Sequence, residues 1–307
     1  MLRSILEARE VFKSYGRVRA LNGLNLRISG GVVGLIGPNG AGKTTAIKIF
    51  LGLLRANRGS VKVFGLDPWR NGFEVRRRVG VLHERPVYPG DITGRLFLKY
   101  IASFYGVKDV DARVREVLKL VGLEFVAHRP IKEYSAGMVQ RLGFAKAIIG
   151  NPELVILDEP TANLDPAGRA EILDLIAMLS KDEGVSFLIS THILSELERV
   201  CKKVFIIYRG RIIAEGSLKD MVERYRLTEY TVELTEPSKL AEKLEELEHV
   251  KVLDVDEARG RLYLSVADPD SFRKTLFKLA LELDLKIISF KPRYGILEQV
   301  YRRVLSD

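Results

Sequence analysis

Gly37-Pro38-Asn39-Gly40-Ala41-Gly42-Lys43-Thr44-Thr45 fits the phosphate-binding pattern G-x-x-x-x-G-K-[ST]. An apolar run, Val32-Val33-Gly34-Leu35-Ile36, precedes it, and a helical pattern over 45–54 follows. That is the strand–loop–helix setting the pattern requires. Glycines let backbone N–H groups approach phosphates, and the helix N-terminus adds partial positive charge. In this setting Lys43 is expected to reach the β- and γ-phosphates and the Thr44 hydroxyl to bind Mg²⁺.

Around this loop the chain reads as βα units. Residues 5–12 and 21–28 alternate as an antiparallel pair of strands. Short strands are expected at 61–64 and 79–82, and 93–151 is almost wholly helical in pattern. Thr93 is an expected N-cap. Leu96, Phe97, Tyr100, Ile101, Phe104 and Tyr105 form one stripe, either packed in a helical core or facing a partner. Strands return at 154–157, 186–190 and 204–208, separated by helices. Parallel βα units with a helical block inserted at about 90–150 account for the pattern. A break near 216–228 then leads into the order βαββαβ, which matches a ferredoxin-like split βαβ unit. The expected division is an N-terminal domain of residues 1–220 and a small α+β domain of residues 221–307.

Composition fits this reading. The 307 residues are 47% apolar and 29% charged, enough for two cored domains. No run of about 18 apolar residues exists to span a bilayer. Residues 1–10 carry scattered charge and do not read as a secretory signal. The single cysteine, Cys201, excludes an internal disulfide framework and fits a reducing compartment. The net charge is +9. Residues 1–220 hold 34 Lys and Arg against 23 Asp and Glu, whereas residues 221–307 hold 15 against 17. The basic excess thus lies with the phosphate loop, where it can serve a nucleotide, lipid headgroups or an acidic partner. Its densest run, Arg76-Arg77-Arg78, is expected on a solvated helix face.

Phosphoryl transfer also needs a carboxylate for the metal and a group to position water. Leu154-Val155-Ile156-Leu157 reads as a buried parallel strand, and Asp158-Glu159 ends it. Ligands of open α/β sheets bind at such strand ends. Asp158 is expected to hold Mg²⁺ through its water shell and Glu159 to act on the attacking water. Ser190-Thr191-His192 ends another apolar strand, which makes His192 a candidate γ-phosphate sensor. In Tyr134-Ser135-Ala136-Gly137-Met138-Val139-Gln140-Arg141, Ser135 can cap a helix whose bare N-terminus is a second anion site.

Taken in order, these segments resemble the ATP-binding subunits of ABC transporters. Residues 134–141 resemble that family's signature, L-S-G-G-Q-x-Q-R, with Tyr134, Ala136 and Met138 as departures and Ser135 and Gly137 kept. The resemblance runs from about residue 6 to 216. It implies that Tyr15 stacks on adenine. Ala162-Asn163-Leu164-Asp165 is then the dimer-contacting loop, with Asp165 at its end, and His192 is the switch histidine. Glu84 stands where many members carry a metal-contacting Gln. The extra C-terminal domain and the ending Leu297-Glu298-Gln299-Val300-Tyr301 resemble the drug-resistance and sodium exporter group.

The resemblance implies MgATP held between two subunits clamped head to tail. Gly37, Pro38, Asn39, Gly40, Ala41, Gly42, Lys43, Thr44 and Thr45 of one subunit would face Ser135, Ala136, Gly137 and Met138 of the other. A homodimer and a heterodimer both satisfy that geometry. It further implies a separate polytopic membrane subunit, a location on the cytoplasmic face of the membrane, and export. Val87 and Tyr88, which follow Glu84, are expected at the membrane partner's interface. The C-terminal domain is expected to serve dimer contact or regulation. A soluble ATPase of the same family acting on ribosomes or nucleic acid is the alternative, kept open by the basic excess.

Overall fold

The computed structural model describes residues 4–191, 193–225, 229–247 and 249–306. His192 lies outside the described residues. The chain divides into two compact units, Met1–Ser217 and Leu218–Asp307.

The first unit opens with β1 (Leu6–Tyr15) and β2 (Val18–Ile28), an antiparallel pair. Both run longer than their apolar alternation suggests, because Lys13, Arg17 and Arg19 blur it near the turn. The turn places Tyr15 at the hairpin tip, directly opposite Val18. Next come β3 (Val32–Ile36), α1 (Lys43–Phe50), β4 (Arg58–Val63), the short α2 (Gly72–Arg76) and β5 (Val79–Leu82). β4 joins β1 to complete a three-stranded sheet in the order β2-β1-β4.

The helical block holds α3 (Gly94–Phe104), α4 (Val110–Leu120) and α5 (Ala136–Ile148). Each begins at a side-chain cap. Thr93 accepts from the Leu96 amide at 3.1 Å, Asp109 from Ala112 at 2.9 Å and Ser135 from Met138 at 3.2 Å. Such caps satisfy otherwise orphaned amides and contribute about 1 kcal/mol each.

β6 (Leu154–Asp158), α6 (Pro166–Asp182), β7 (Ser186–Thr191), α7 (Leu194–Val200), β8 (Lys203–Tyr208) and β9 (Arg211–Gly216) complete the unit. Its main sheet has the order β5-β6-β7-β3-β8-β9. All neighbours are parallel except the β8–β9 edge pair. The two sheets share one core, in which Leu6, Leu24, Leu35, Phe50 and Phe205 are buried. In register, Ile36 pairs with Thr191 and Asp158 with Ser190. The C-terminal ends of β3, β6 and β7 therefore lie side by side.

Arg76 closes α2 and Arg77 caps it, both exposed as expected for a solvated helix face, while Arg78 is half-buried. Arg76 donates to the Leu51 carbonyl at 3.2 Å. Arg77 lies over the Phe73 ring. Arg78 grips Glu153 with two bonds of 2.5 and 2.8 Å and covers the Phe64 ring at 3.8 Å. Bidentate pairing to a carboxylate raises the Arg78 pKa still further.

The second unit starts with α8 (Leu218–Tyr225), a helix where the pattern suggested only a break. β10 (Glu229–Leu234), α9 (Pro237–Leu244), β11 (Val250–Asp256), β12 (Arg261–Val266), α10 (Pro269–Glu282), β13 (Ile287–Pro292) and α11 (Ile296–Ser306) follow. The sheet order is β11-β12-β10-β13, with every neighbour antiparallel. Each helical crossover skips one strand, so the two βαβ halves interleave. The core packs Leu240, Leu244, Phe272 and Leu276 against Val232, Leu234, Leu262 and Leu264.

Candidate active site

Residues 37–42 leave β3 at its C-terminal end and turn into α1. Gly42 has φ 108°, and a Cβ there would lie 2.6 Å from the Ala20 carbonyl oxygen. Only glycine fits both conditions. The Lys43 side chain is buried and folds back on the loop, donating to the Gly37 carbonyl at 2.6 Å and the Pro38 carbonyl at 3.3 Å. Burial pulls its pKa down, and the carboxylates of Glu159, Asp158 and Glu84 oppose that pull.

The acidic strand end faces this loop. Asp158 is buried, and its Oδ2 lies 3.4 Å from the Thr44 hydroxyl, which donates to it. Burial raises the Asp158 pKa, with Glu159 and Glu84 adding to the rise and the Ser190 hydroxyl and Lys43 opposing it. A carboxylate held in this way gains most from a nearby cation. Thr44 and Asp158 are hard oxygen donors, the type Mg²⁺ takes alongside phosphate oxygens and water.

Glu159 is buried one residue on, with φ 51°, an uncommon value for a residue other than glycine. Its amide donates to the Ser190 carbonyl at 2.7 Å, and its Oε2 accepts from the Thr191 hydroxyl at 3.0 Å. Asp158 and Glu159 therefore have distinct partners and are held as two separate groups.

These residues line one cleft of about 420 Å³. The loop from Pro38 to Thr45 lines it together with Glu84, Asp158 and Glu159. Tyr15, half exposed at the tip of its hairpin, stands among the wall residues with Lys13 5.5 Å from its ring centre. Gly37 does not line the cleft; its alpha carbon backs onto Ile207 of β8 instead. Glu84 is exposed and pairs with Arg85 at 3.7 Å.

None of Ser135, Ala136, Gly137 and Met138 lines this cleft. Ser135 and Ala136 are exposed at the start of α5. Gly137 sits against the following loop, where a Cβ would meet Leu164 at 3.3 Å and the Asn163 carbonyl at 3.4 Å. Asp165 is exposed and caps α6 by accepting from the Gly168 amide at 3.0 Å.

Two long-range attachments and one shorter one have no counterpart in local sequence pattern. Gln140, buried on α5, donates from Nε2 to the carbonyls of Glu159 at 3.0 Å and Pro160 at 3.1 Å. Thr161, fully buried, donates to Glu196 Oε2 at 2.7 Å. Arg169 donates to the Leu164 carbonyl at 3.0 Å. Gln140 lies inside the signature and Thr161 directly after the acidic strand end, so position alone could have drawn attention to both.

The aromatic stripe of α3 splits in two. Phe97 is buried and its ring packs 4.7 Å from Tyr88, whose hydroxyl is buried without a hydrogen-bond partner among the described residues. Leu96, Tyr100 and Phe104, spaced four residues apart, are exposed, and Val87 is 89% exposed. The paired expectation for Val87 and Tyr88 thus divides: Val87 is outside and Tyr88 is tucked in.

Comparison with known proteins agrees with this geometry. The family model described as ABC transporter matches residues 21–162. The bacitracin transport ATP-binding protein BcrA of Bacillus licheniformis is 38% identical over 224 residues, covering 73% of each chain. Among solved structures, an ATP-binding subunit of an ABC transporter is 31% identical with a TM-score of 0.68, covering 73% of this chain and 94% of that one. A dimeric, post-hydrolysis ATP-binding cassette bound to ADP and Pi is 25% identical with a TM-score of 0.63, covering 69% and 98%. Sequence likeness and fold point the same way: the chain belongs to the ATP-binding subunits of ABC transporters, ATPases that drive transport.

Proposed function

We propose that this chain forms a head-to-tail dimer with a second ATP-binding subunit and closes two composite MgATP sites. The observation that carries the reading is the split between cleft and signature. The phosphate loop and both acids share one cleft, while residues 135–138 present a capped helix start outside it. A chain so built holds half of each site and needs a partner to complete one.

In this reading Tyr15 stacks on the adenine and the amides of residues 38–45 cradle the phosphates. Lys43 leaves its own carbonyls for the β- and γ-phosphates. Thr44 and Asp158 hold Mg²⁺, with Glu84 orienting its water shell; the metal neutralises charge on the phosphates. Glu159 takes a proton from water as the water oxygen bonds to the γ-phosphorus, and the bond from that phosphorus to the β,γ-bridging oxygen breaks. ADP and phosphate are the products. His192 contacts the γ-phosphate, and Ser135 to Met138 of the partner subunit add donors from a helix N-terminus. Asp165 and its loop lie at the contact between subunits.

No helix of the described residues is long and apolar enough to cross a membrane. In this reading the dimer drives a separate polytopic membrane subunit from the cytoplasmic face, as the likeness to transporter ATP-binding subunits supports. The exposed row Leu96, Tyr100 and Phe104, with Val87 nearby in sequence, supports a docking role for this part of the chain. The relative named for bacitracin transport supports export. The same relative is named for transport, not for action on ribosomes or nucleic acid. Tagged Glu159→Gln protein, captured with ATP from detergent-solubilised membranes of its host, tests the proposal. Stoichiometric recovery of a polytopic membrane protein is expected. Recovery only as a soluble dimer, or with ribosomes or nucleic acid, overturns it.

A further inference from the structure

The segment from Glu159 to Asp165 holds two non-glycine residues in left-handed conformation, Glu159 at φ 51° and Asn163 at φ 64°. Such backbone is uncommon for residues other than glycine and persists where its surroundings fix it. Three helices supply that constraint. Gln140 of α5 holds its first two carbonyls, Arg169 of α6 holds Leu164, and Glu196 of α7 holds Thr161. The third attachment is the unusual one. Glu196 is only 6% exposed, and its Oε1 lies 3.8 Å from Arg169. A buried carboxylate carries a desolvation penalty that an apolar residue would avoid. Glu196 sits in the first turn of α7, four residues after His192 in sequence, so its bond joins the segment after Glu159 to α7.

We infer that Glu196 is a positioning residue for ATP hydrolysis, acting through Thr161 to hold the Glu159–Asp165 segment and α7 as one body. It does not line the cleft and touches no reacting atom. The bond fixes where the Glu159 carboxylate stands, so its loss slows the chemical step and leaves ATP capture by the phosphate loop intact. The inference rests on the role proposed above for Glu159.

The test uses the full chain in four forms, with kcat, KM for ATP and melting temperature measured on each. Thr161→Val removes the donor at nearly constant volume and lowers kcat about tenfold or more, with KM within about twofold, as expected for lost positioning. Thr161→Ser restores the hydroxyl and recovers most of kcat. Glu196→Gln keeps an acceptor oxygen but removes the charge, and falls between the two. The double variant Thr161→Val with Glu196→Gln drops no further than Thr161→Val alone, because both act on one bond. A Thr161→Val kcat within about twofold of wild type overturns the inference, as does a loss that serine does not recover. If Thr161→Val fails to fold, a Glu196→Gln kcat equal to wild type overturns it. Glu159→Gln, run in parallel, separates the two ideas. Rapid turnover there refutes the role of Glu159, whereas a dead Glu159→Gln beside normal Thr161 and Glu196 variants refutes the positioning role alone.

Discussion

Replacing Glu159 by Gln exchanges one oxygen for nitrogen in a buried side chain, and the surroundings allow its effects to be separated. The amide oxygen can still accept from the Thr191 hydroxyl, which lies 3.0 Å from Oε2 in the native protein. The backbone amide keeps its bond to the Ser190 carbonyl at 2.7 Å. The fold is therefore retained. The carboxylate also acts at a distance, helping to raise the Asp158 pKa and opposing the fall of the Lys43 pKa. Its removal eases ionisation of Asp158 and slightly weakens Lys43 as a cation. These two effects on MgATP binding oppose each other, so affinity stays within about threefold. Catalysis has no such compensation. An amide cannot take a proton from water, and loss of a general base removes about 10²–10⁴ in rate, or roughly 3–5 kcal/mol of barrier lowering. The assay is phosphate release by purified protein, with ATP affinity from a fluorescent analogue and oligomeric state from gel filtration. In the proposed dimer unhydrolysed ATP holds the two subunits together, so the variant is expected to elute as a dimer in ATP and as a monomer without it. A kcat within tenfold of wild type, or loss of ATP binding, refutes the reasoning.

Gly42→Ala combines backbone strain at φ 108° with a Cβ 2.6 Å from the Ala20 carbonyl. The sum is about 3 kcal/mol or more, and a melting temperature lower by about 10 °C is the expected reading. Asp158 titrates above its ordinary value of 3.8, so on acidification it takes up a proton while a free carboxylate is still ionised. The acid limb of MgATP binding, followed by calorimetry, thus lies above the ordinary carboxylate range, and a limb at or below it contradicts this. In the absence of metal the sign for stability is opposite. A raised folded pKa means that the native state binds the proton better, so the Asp158 contribution becomes more favourable as pH falls through that raised value. Tyr100→Glu and Phe104→Glu place charge on the exposed face of α3. They should lower capture of the membrane subunit at least about tenfold while ATPase activity of the isolated chain stays within about twofold; unchanged capture removes this face from the docking surface.

Legibility in the sequence followed the range of the interactions. The phosphate loop was readable because its glycines, lysine and flanking periodicities sit in one continuous stretch, residues 32–54. The caps Thr93 and Ser135 were readable because a capping bond spans three residues. Other elements were hidden by weak or misleading local signal. β9, Arg211–Gly216, is an edge strand with mixed polarity, and α2 and α8 are short. Helix α1 begins at Lys43 and ends at Phe50, where the pattern suggested 45–54, because Gly52 turns at φ 66° and stops it. The α3 stripe could not be divided into packed and exposed halves until Tyr88 was seen against Phe97. The bonds of Gln140, Thr161 and Glu196, unlike the positions of the first two, were out of reach for a simpler reason: they span 19, 20 and 35 residues, between elements that only the fold brings together.

The cleft has a further consequence because its walls belong to two separate hydrogen-bond ladders. Tyr15 stands on the three-stranded sheet, and the phosphate loop grows from the six-stranded one. A nucleotide that stacks at one end and is cradled at the other is a crossbar between them. It stiffens the joint in proportion to how firmly both ends are gripped. Free phosphate or pyrophosphate grips only one end and leaves the hairpin to breathe. Amide exchange near Tyr15 should therefore slow with whole nucleotide and not with pyrophosphate, and mechanical continuity through the molecule would be something the ligand supplies.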